Sequence, residues 1–152
     1  MSPPKIPRSV LVMIHTPDMQ FLLLKRVCKN EFDCDFWQSV TGSLDFEDEL
    51  PSVAARRELF EETGLRAEDY IFRDLAQTTE YEIFPEWRYR YADGVTHNTE
   101  YQFALCVPDT TVTVRLAQTE HTEFQWLPAR EAADLCFSWN NAGAIRRLAG
   151  ID

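Results

Sequence analysis

The strongest chemical signal in the chain is a run of carboxylates. Arg57-Glu58-Leu59-Phe60-Glu61-Glu62-Thr63-Gly64-Leu65 sets three glutamates within five positions of a segment with helical composition. A helix turns about 100° per residue, so Glu58, Glu61 and Glu62 share one face, and Val53 and Phe60 are expected roughly opposite, toward a core. Like charges at helical spacing cost about 0.2–0.5 kcal/mol per pair when nothing offsets them. A divalent cation is a physical reason to keep them together. An all-oxygen donor set suits magnesium, or manganese, better than zinc. The competing reading is a solvated charged face with Arg57 paired to Glu61 one turn on, and the three glutamates alone would favour it. Their context tilts the balance. Gly42 ends a strand-like run, and the acidic loop 45–49 leads directly into the helix, so further negative groups face the same place.

The composition sets the limits of that chemistry. The chain has 152 residues, with 25 Asp and Glu against 15 Lys and Arg, a net charge of -10. Such a surface repels a phosphate backbone, which argues against a nucleic-acid partner; an anionic substrate would be met through a cation. A hydrophobic fraction of 45% with 10 Phe, 5 Tyr and 4 Trp excludes disorder, and the length fits one domain over residues 1–152. The proline-containing start runs into the apolar residues 10–14, too short for a signal-peptide core or a membrane span, so a soluble, cytoplasmic protein without a membrane partner is expected. Cys28, Cys34, Cys106 and Cys136 form no CxxC pair and no zinc spacing, and read as thiols.

The elements that must position the glutamates follow from periodicity and punctuation. Residues 9–14 (SVLVMI) and 21–27 (FLLLKRV) read as strands joined by the turn residues Thr16-Pro17-Asp18, and 36–40 as a further strand ending at Thr41-Gly42. Residues 51–62 are the most secure helix, with Pro51 in its first turn and Gly64 placed to stop it. Residues 70–79, 81–91 and 99–107 have strand composition, with Ala92-Asp93-Gly94 as a turn; on a strand, Arg88 and Arg90 would share a face, either solvated or guiding phosphate. Short strands are expected at 111–114 and 124–126, and a helical pattern over 128–148 with a break near 138–143. The sum is a mixed sheet with two or three helices.

The stretch 42–65 resembles the Nudix box, the loop-helix-loop signature of hydrolases that cleave a nucleoside diphosphate linked to another group. The family pattern is Gly, five residues, Glu, seven residues, then Arg-Glu-hydrophobic-x-Glu-Glu-x-Gly-hydrophobic. The chain matches its last nine positions, residues 57–65, and has Glu49 at the correct distance before Arg57. Six residues rather than five separate Gly42 from Glu49, so a bulged loop with the helix phase intact is expected around Asp45-Phe46-Glu47-Asp48. The resemblance implies an α/β fold, the Nudix-type α/β/α sandwich with a mixed, curved sheet and a loop-helix-loop catalytic box. It implies magnesium ligands at Glu58 and Glu62, an additional one at Glu61, and an orienting role for Arg57, whose guanidinium can pair with a loop acid such as Glu49.

Flanking pieces narrow the resemblance: residues 35–43 through Trp37, Glu80-Tyr81-Glu82-Ile83-Phe84, residues 88–100, Thr119-Glu120-His121 and Ser138-Trp139-Asn140, of which the run through Trp37 and His97-Asn98-Thr99-Glu100 are more selective than the box. From about residue 10 to 145 the chain is similar to the branch of that family that hydrolyses a pterin triphosphate. That resemblance implies Glu120 as a glutamate reaching the metal from a loop, as ligand or as general base. It implies substrate contacts at Lys5, Arg26, Thr41, Tyr81, Glu82, Ile83, Phe84 and Ser138. The cations can meet phosphates, and rings such as Tyr81 or Trp37 can stack on a flat heterocycle, although Trp126, Phe103 and Trp37 also suit a core. The expected partner is a small pterin or nucleotide triphosphate, and the expected state a monomer. The alternatives are a general nucleoside triphosphate pyrophosphatase and, with the helix glutamates all present, less readily an inactive phosphate-ligand binding module.

Overall fold

The two apolar runs near the start become the centre of the molecule. In the computed structural model, which describes residues 3–28 and 35–152, β1 (Arg8–His15) and β2 (Gln20–Arg26) are buried on both faces. Side chains alternate across a strand, so a run without polar interruption must be covered twice. Val10, Val12, Ile14, Leu22 and Leu24 pack with Ala54, Ala55 and Leu59 of α1 (Pro51–Thr63). Leu11, Met13, Phe21 and Leu23 pack with Ala132 and Ala133 of α2 (Ala129–Leu135) and Ala144 and Ile145 of α3 (Trp139–Ala149). The result is the expected α/β/α sandwich, with Phe103 in the first core and Trp126 and Trp37 half-buried against the two cores.

The seven-stranded sheet adds β3 (Trp37–Gln38), β4 (Val40–Ser43), β5 (Ile71–Glu82), β6 (His97–Cys106) and β7 (His121–Pro128). It is mixed: β1 and β6 are parallel, and the other pairings are antiparallel. Along one edge β1 pairs with β6 from Arg8 to His15. Its other edge is divided, with β2 at the His15↔Phe21 end and β4 opposite residues 9–12. The β1–β2 hairpin therefore opens away from its turn, and Arg26 at the far end of β2 faces a gap beside Ser9 and Thr41. A register shift between Asp74 and Gln77 in β5 marks a bulge, the usual device for bending a strand.

Several elements differ from expectation. Residues 81–91 do not continue as a strand: Pro85–Arg90 form a short 3-10 helix with the proline in its first turn, where a fixed φ and a missing N–H favour a helical start. Arg88 and Arg90 thus share no strand face, and Arg88 folds back onto Glu82 and the Ile83 carbonyl. Residues 111–114 form no strand; Val112 and Val114 instead pack on the first core from an irregular segment. The break near the C-terminus falls at 136–138, and Gly143 lies inside α3. Gly64 ends α1 as expected, in the left-handed region at φ 75 with its N–H on the Phe60 carbonyl. Cys28 is disulfide-bonded, against the expectation of a thiol, while Cys106 and Cys136 are free; Cys34 lies outside the described residues. Among the described residues no helix is long and apolar enough to cross a membrane.

Candidate active site

The helix that carries the glutamates sits the other way round from its sequence expectation. Val53 and Phe60 are exposed, whereas Glu62 is only 4% accessible and shares the buried face with Ala54, Ala55, Leu59 and Thr63. At about 100° per residue the small side chains Ala54 and Ala55 flank the direction of Glu58 and Glu62. Alanines let the helix approach the sheet, and the carboxylates are pressed in with them. Gly42 of β4 completes the approach: a Cβ there would lie 2.2 Å from the Glu58 carboxyl carbon. The box glycine is therefore the floor on which Glu58 rests.

The carboxylates are not equivalent. Glu58 and Glu62 are hydrogen-bonded to each other, and Glu62 also accepts the Thr41 backbone N–H. Burial raises the affinity of Glu58 for its proton. Burial raises that of Glu62 further, helped by Glu58 and by Glu120. One oxygen of Glu62, Oε1, is buried without a hydrogen bond, at 3.7 Å from Nδ1 of the buried His121. Glu61 stands outside this pair, with its side chain 56% exposed and 3.9 Å from Arg57. Among the described residues, no three His, Cys, Asp or Glu side chains are gathered closely enough to enclose a metal ion as they stand. The donor chemistry nevertheless fits a hard divalent cation: the groups are oxygen ligands, two are forced together out of water, and one buried oxygen lacks a bond.

Arg57 fixes the pair from the loop side. Its guanidinium is 2.7 Å from Glu58 Oε1, 3.0 Å from Glu49 Oε1 and 3.1 Å from Asp45 Oδ2. Glu49 is buried and also accepts the Asp45 amide at 2.7 Å. Desolvation pushes the Glu49 carboxyl up, but the Asp45 amide and Arg57 outweigh it and hold it below the ordinary carboxylate range. The loop with its extra residue is therefore closed on itself through Glu49, while Glu47 contributes its carbonyl to Arg8. Arg57 is a positioning residue and does not line the cavity.

The other residues expected to bind metal or substrate do, whereas Trp37, weighed as a stacking ring, is half-buried against the second core and does not. A cavity of about 1160 Å³ is lined by Glu58, Glu61, Glu62 and Glu120, and also by Lys5, Arg26, Thr41, Tyr81, Glu82, Ile83, Phe84 and Ser138. It opens where β1 and β2 part. Lys5 is drawn in by its N–H on the Arg90 carbonyl and its bridge to Tyr91. Burial, Arg90 and Arg26 lower its proton affinity, against the opposing pull of Glu58 and Glu120. Three cations thus stand between the acidic wall and the rest of the cavity. Arg26 and Arg90 each lie over the Trp87 ring, at 5.3 and 5.5 Å. Beyond them Phe84, Trp87 and Phe137 form an edge-on aromatic group, with Phe137 stacked on Phe36 at 3.6 Å.

Some of the residues sit in roles the sequence did not suggest. Tyr81 is committed to a buried network in which Asn98 donates to its hydroxyl at 3.0 Å and to Ser9 at 2.7 Å. The N–H of Ile83 is used by Thr96 and its carbonyl by Arg88, and Glu82 pairs with Arg88 at the rim. Ser138 stands at the start of α3, which Asn141 ties to Ser39 by two hydrogen bonds. Sequence reasoning assigned no role to Trp87, Phe137, Asn98, Glu100 or Asn140. Arg90, weighed with Arg88 as a solvated or phosphate-guiding face of a strand, lines the cavity from the 3-10 helix instead, and Asn98, Glu100 and Asn140 stood out only as members of the flanking pieces.

Comparison with known proteins agrees with this geometry. The chain matches the model of the NUDIX domain over residues 5–148. It is 42% identical to the dihydroneopterin triphosphate diphosphatase of Escherichia coli (strain K12) over 146 residues, 95% of this chain and 93% of that protein. It is 39% identical to the enzyme of the same name from Haemophilus influenzae over 142 residues, 92% and 85% of the two chains. The solved structure of the E. coli dihydroneopterin triphosphate pyrophosphohydrolase superposes with a TM-score of 0.85, covering 97% of this chain and 98% of that one.

Proposed function

The chain belongs to the NUDIX hydrolase family, and on that premise we propose that it hydrolyses 7,8-dihydroneopterin 3'-triphosphate to dihydroneopterin phosphate and pyrophosphate, a step of folate biosynthesis, with magnesium required. The observation that carries the reading is one cavity in which a buried carboxylate wall, three cations and an aromatic end follow one another. A triphosphate attached to a flat ring has its charge and its apolar surface in the same order. The near full-length similarity to enzymes of that name supports the choice of ring.

Glu58, Glu62 and Glu120, with Glu61 at the rim, would hold magnesium, which supplies charge neutralisation at the phosphate oxygens when bound. The protein's own part is mostly positioning, as expected for transfer of a phosphoryl-type group. Lys5, Arg26 and Arg90 hold the triphosphate. Water adds to a phosphorus, the bridging P–O bond breaks toward pyrophosphate, and the proton lost by water passes to a carboxylate. Glu120 would take it or bind the cation, and the two roles exclude each other in one step, since a carboxylate engaged with a cation is a weak base. Arg57 keeps Glu58 in place.

A parallel assay of pyrophosphate release from dihydroneopterin triphosphate and the common nucleoside triphosphates tests the reading. The expected result is the highest kcat/KM for the pterin. A much higher value for a nucleotide would replace it with the general pyrophosphatase, and no magnesium-dependent release from any of them with the binding module.

A further inference from the structure

The cavity has a second buried carboxylate that the hydrolytic chemistry does not use. Glu100, on β6, is 3% accessible and lines the cavity on the face of the sheet that carries α3, away from α1. Asn140, in the first turn of α3, donates to its Oε1 at 2.7 Å, and no other hydrogen bond to the carboxyl is made among the described residues. No cation offsets it: burial alone pushes its proton affinity up to about 7, against the pull of Asn140. A carboxyl buried with one hydrogen bond is costly to the fold, and each of its oxygens has two acceptor sites, so most of its capacity is unused. Its neighbours on the same face are Tyr81 and Asn98. Asn98 spends both amide hydrogens on Ser9 and Tyr81, and its Oδ1 is buried without a partner. This wall of the cavity therefore offers buried acceptors with unused capacity, the Glu100 carboxyl and Asn98 Oδ1.

We propose that Glu100, held by Asn140, is the specificity-determining residue of the site and reads the adjacent amino and ring N–H donors of a 2-amino-4-oxopyrimidine ring. That edge is common to pterins and guanine. Two parallel donors on a planar ring match the two oxygens of one carboxylate, the same fit that makes guanidinium–carboxylate pairs strong. Adenine, cytosine and uracil present no such pair. The inference rests on the reading of the cavity as a triphosphate site with a heterocycle at its far end, and it names what chooses the heterocycle.

The test compares ligands that differ only at the amino group. Equilibrium binding to the intact protein is measured for GTP against ITP, and for pterin against lumazine, in which the 2-amino group is replaced by an oxygen. The amino-bearing member of each pair is expected to bind about tenfold to a hundredfold more tightly, the range for a hydrogen bond to a charged group. In the Glu100→Gln protein both ratios are expected to fall toward one. Equal affinities within the pairs, binding of neither member, or ratios unchanged in Glu100→Gln would each overturn the proposal. The ligand pairs on the unaltered protein decide the matter even if the variant does not fold. A preference for pterin over lumazine without hydrolysis of dihydroneopterin triphosphate would uphold Glu100 and reject the proposed reaction, so the two readings fail separately.

Discussion

The two walls of the cavity contrast in how they are assembled. The acidic wall is mostly local in sequence: Thr41, Gly42, Glu49, Arg57, Glu58 and Glu62 lie on one strand, one loop and one helix, and only Glu120 and His121 join them from a distant segment. The opposite wall is drawn from residues 5, 26, 81–91, 98–100 and 137–141, brought together by the sheet and by the docking of α3. The first wall stores like charges out of water and holds them with one arginine. The second sets three cations, Lys5, Arg26 and Arg90, beside a network of amides, hydroxyls and rings around one buried carboxyl, Glu100. A compact segment can keep the hydrolytic groups in fixed geometry while the distributed wall changes with substrate, which is the physical basis for a box that marks a family and not a ligand.

The sharpest way to break the contrast is Glu62→Gln. Removing a carboxyl that the cation would need should lower magnesium-dependent pyrophosphate release by about 10²–10⁴-fold, while metal-free thermal stability rises at alkaline pH, where the buried Glu62 carboxyl would otherwise have to ionise beside Glu58. Activity equal to the parent protein would show that the acidic wall is a charged surface and nothing more. Gly42→Ala asks the same question without touching a carboxylate. The new Cβ would collide with the end of the Glu58 side chain, which can swing aside, so melting temperature should change little. Turnover should still fall by roughly 10²-fold, since displacement of a catalytic group by an ångström costs that much.

Glu100 sharpens the other side. Its folded pKa of about 7 lies above the ordinary carboxylate value of 4.5, so the folded chain binds more protons between those values. Stability should therefore be fully retained below pH 4.5 as far as this group is concerned, decline as pH rises toward 7, and change no further above it. Glu100→Gln should remove that decline, gaining at most about 3 kcal/mol over the parent at pH 8 and little at pH 4. Denaturant unfolding at the two pH values reads the difference directly. An equal gain at both would mean that the carboxyl is not buried with its charge uncompensated.

What could be read from the sequence divides along the same line. Periodicity and punctuation, with runs 9–14 and 21–27 as strands and 51–62 as a helix, gave a mixed sheet with two or three helices. The α/β/α layering came from the resemblance of 42–65 to the Nudix box, and the structure shows its reason, since β1 and β2 are apolar on both faces and must be covered twice. Residues 51–65 announced their helix and its glycine stop through spacing alone, whereas spacing pointed Arg57 at Glu61 and only the resemblance to the Nudix box pointed it at Glu49, the nearer of the two at 3.0 Å. The facing of that helix did not follow. Val53 and Phe60 looked like its buried side by hydrophobicity, whereas the close approach to Gly42 selects small Ala54 and Ala55 and carries Glu62 inward. The 3-10 turn Pro85–Arg90 was hidden by strand-like aromatics, and with it the place of Arg90 beside Lys5. Glu100 carried no local mark, since a glutamate in strand 97–106 reads as solvent-facing until Asn140, 40 positions later, is seen to cover it.

The smallest expected effect lies at the mouth of the distributed wall, at Phe84. This ring is 39% exposed and leans on Trp87 and Phe137 at 5.8 and 5.3 Å, so it closes the aromatic end from outside and does not support a core. Phe84→Ala should leave folding nearly unchanged. One aromatic contact is worth about 0.5–1.5 kcal/mol beyond its area, so KM for a pterin or purine triphosphate should rise roughly threefold to tenfold at constant kcat. Inorganic triphosphate has no ring to lose, and its KM should not move. That split separates the two walls in one variant: a fall in kcat for both substrates would mean that Phe84 shapes the phosphate end, and the aromatic group would then belong with the carboxylates and not with Glu100.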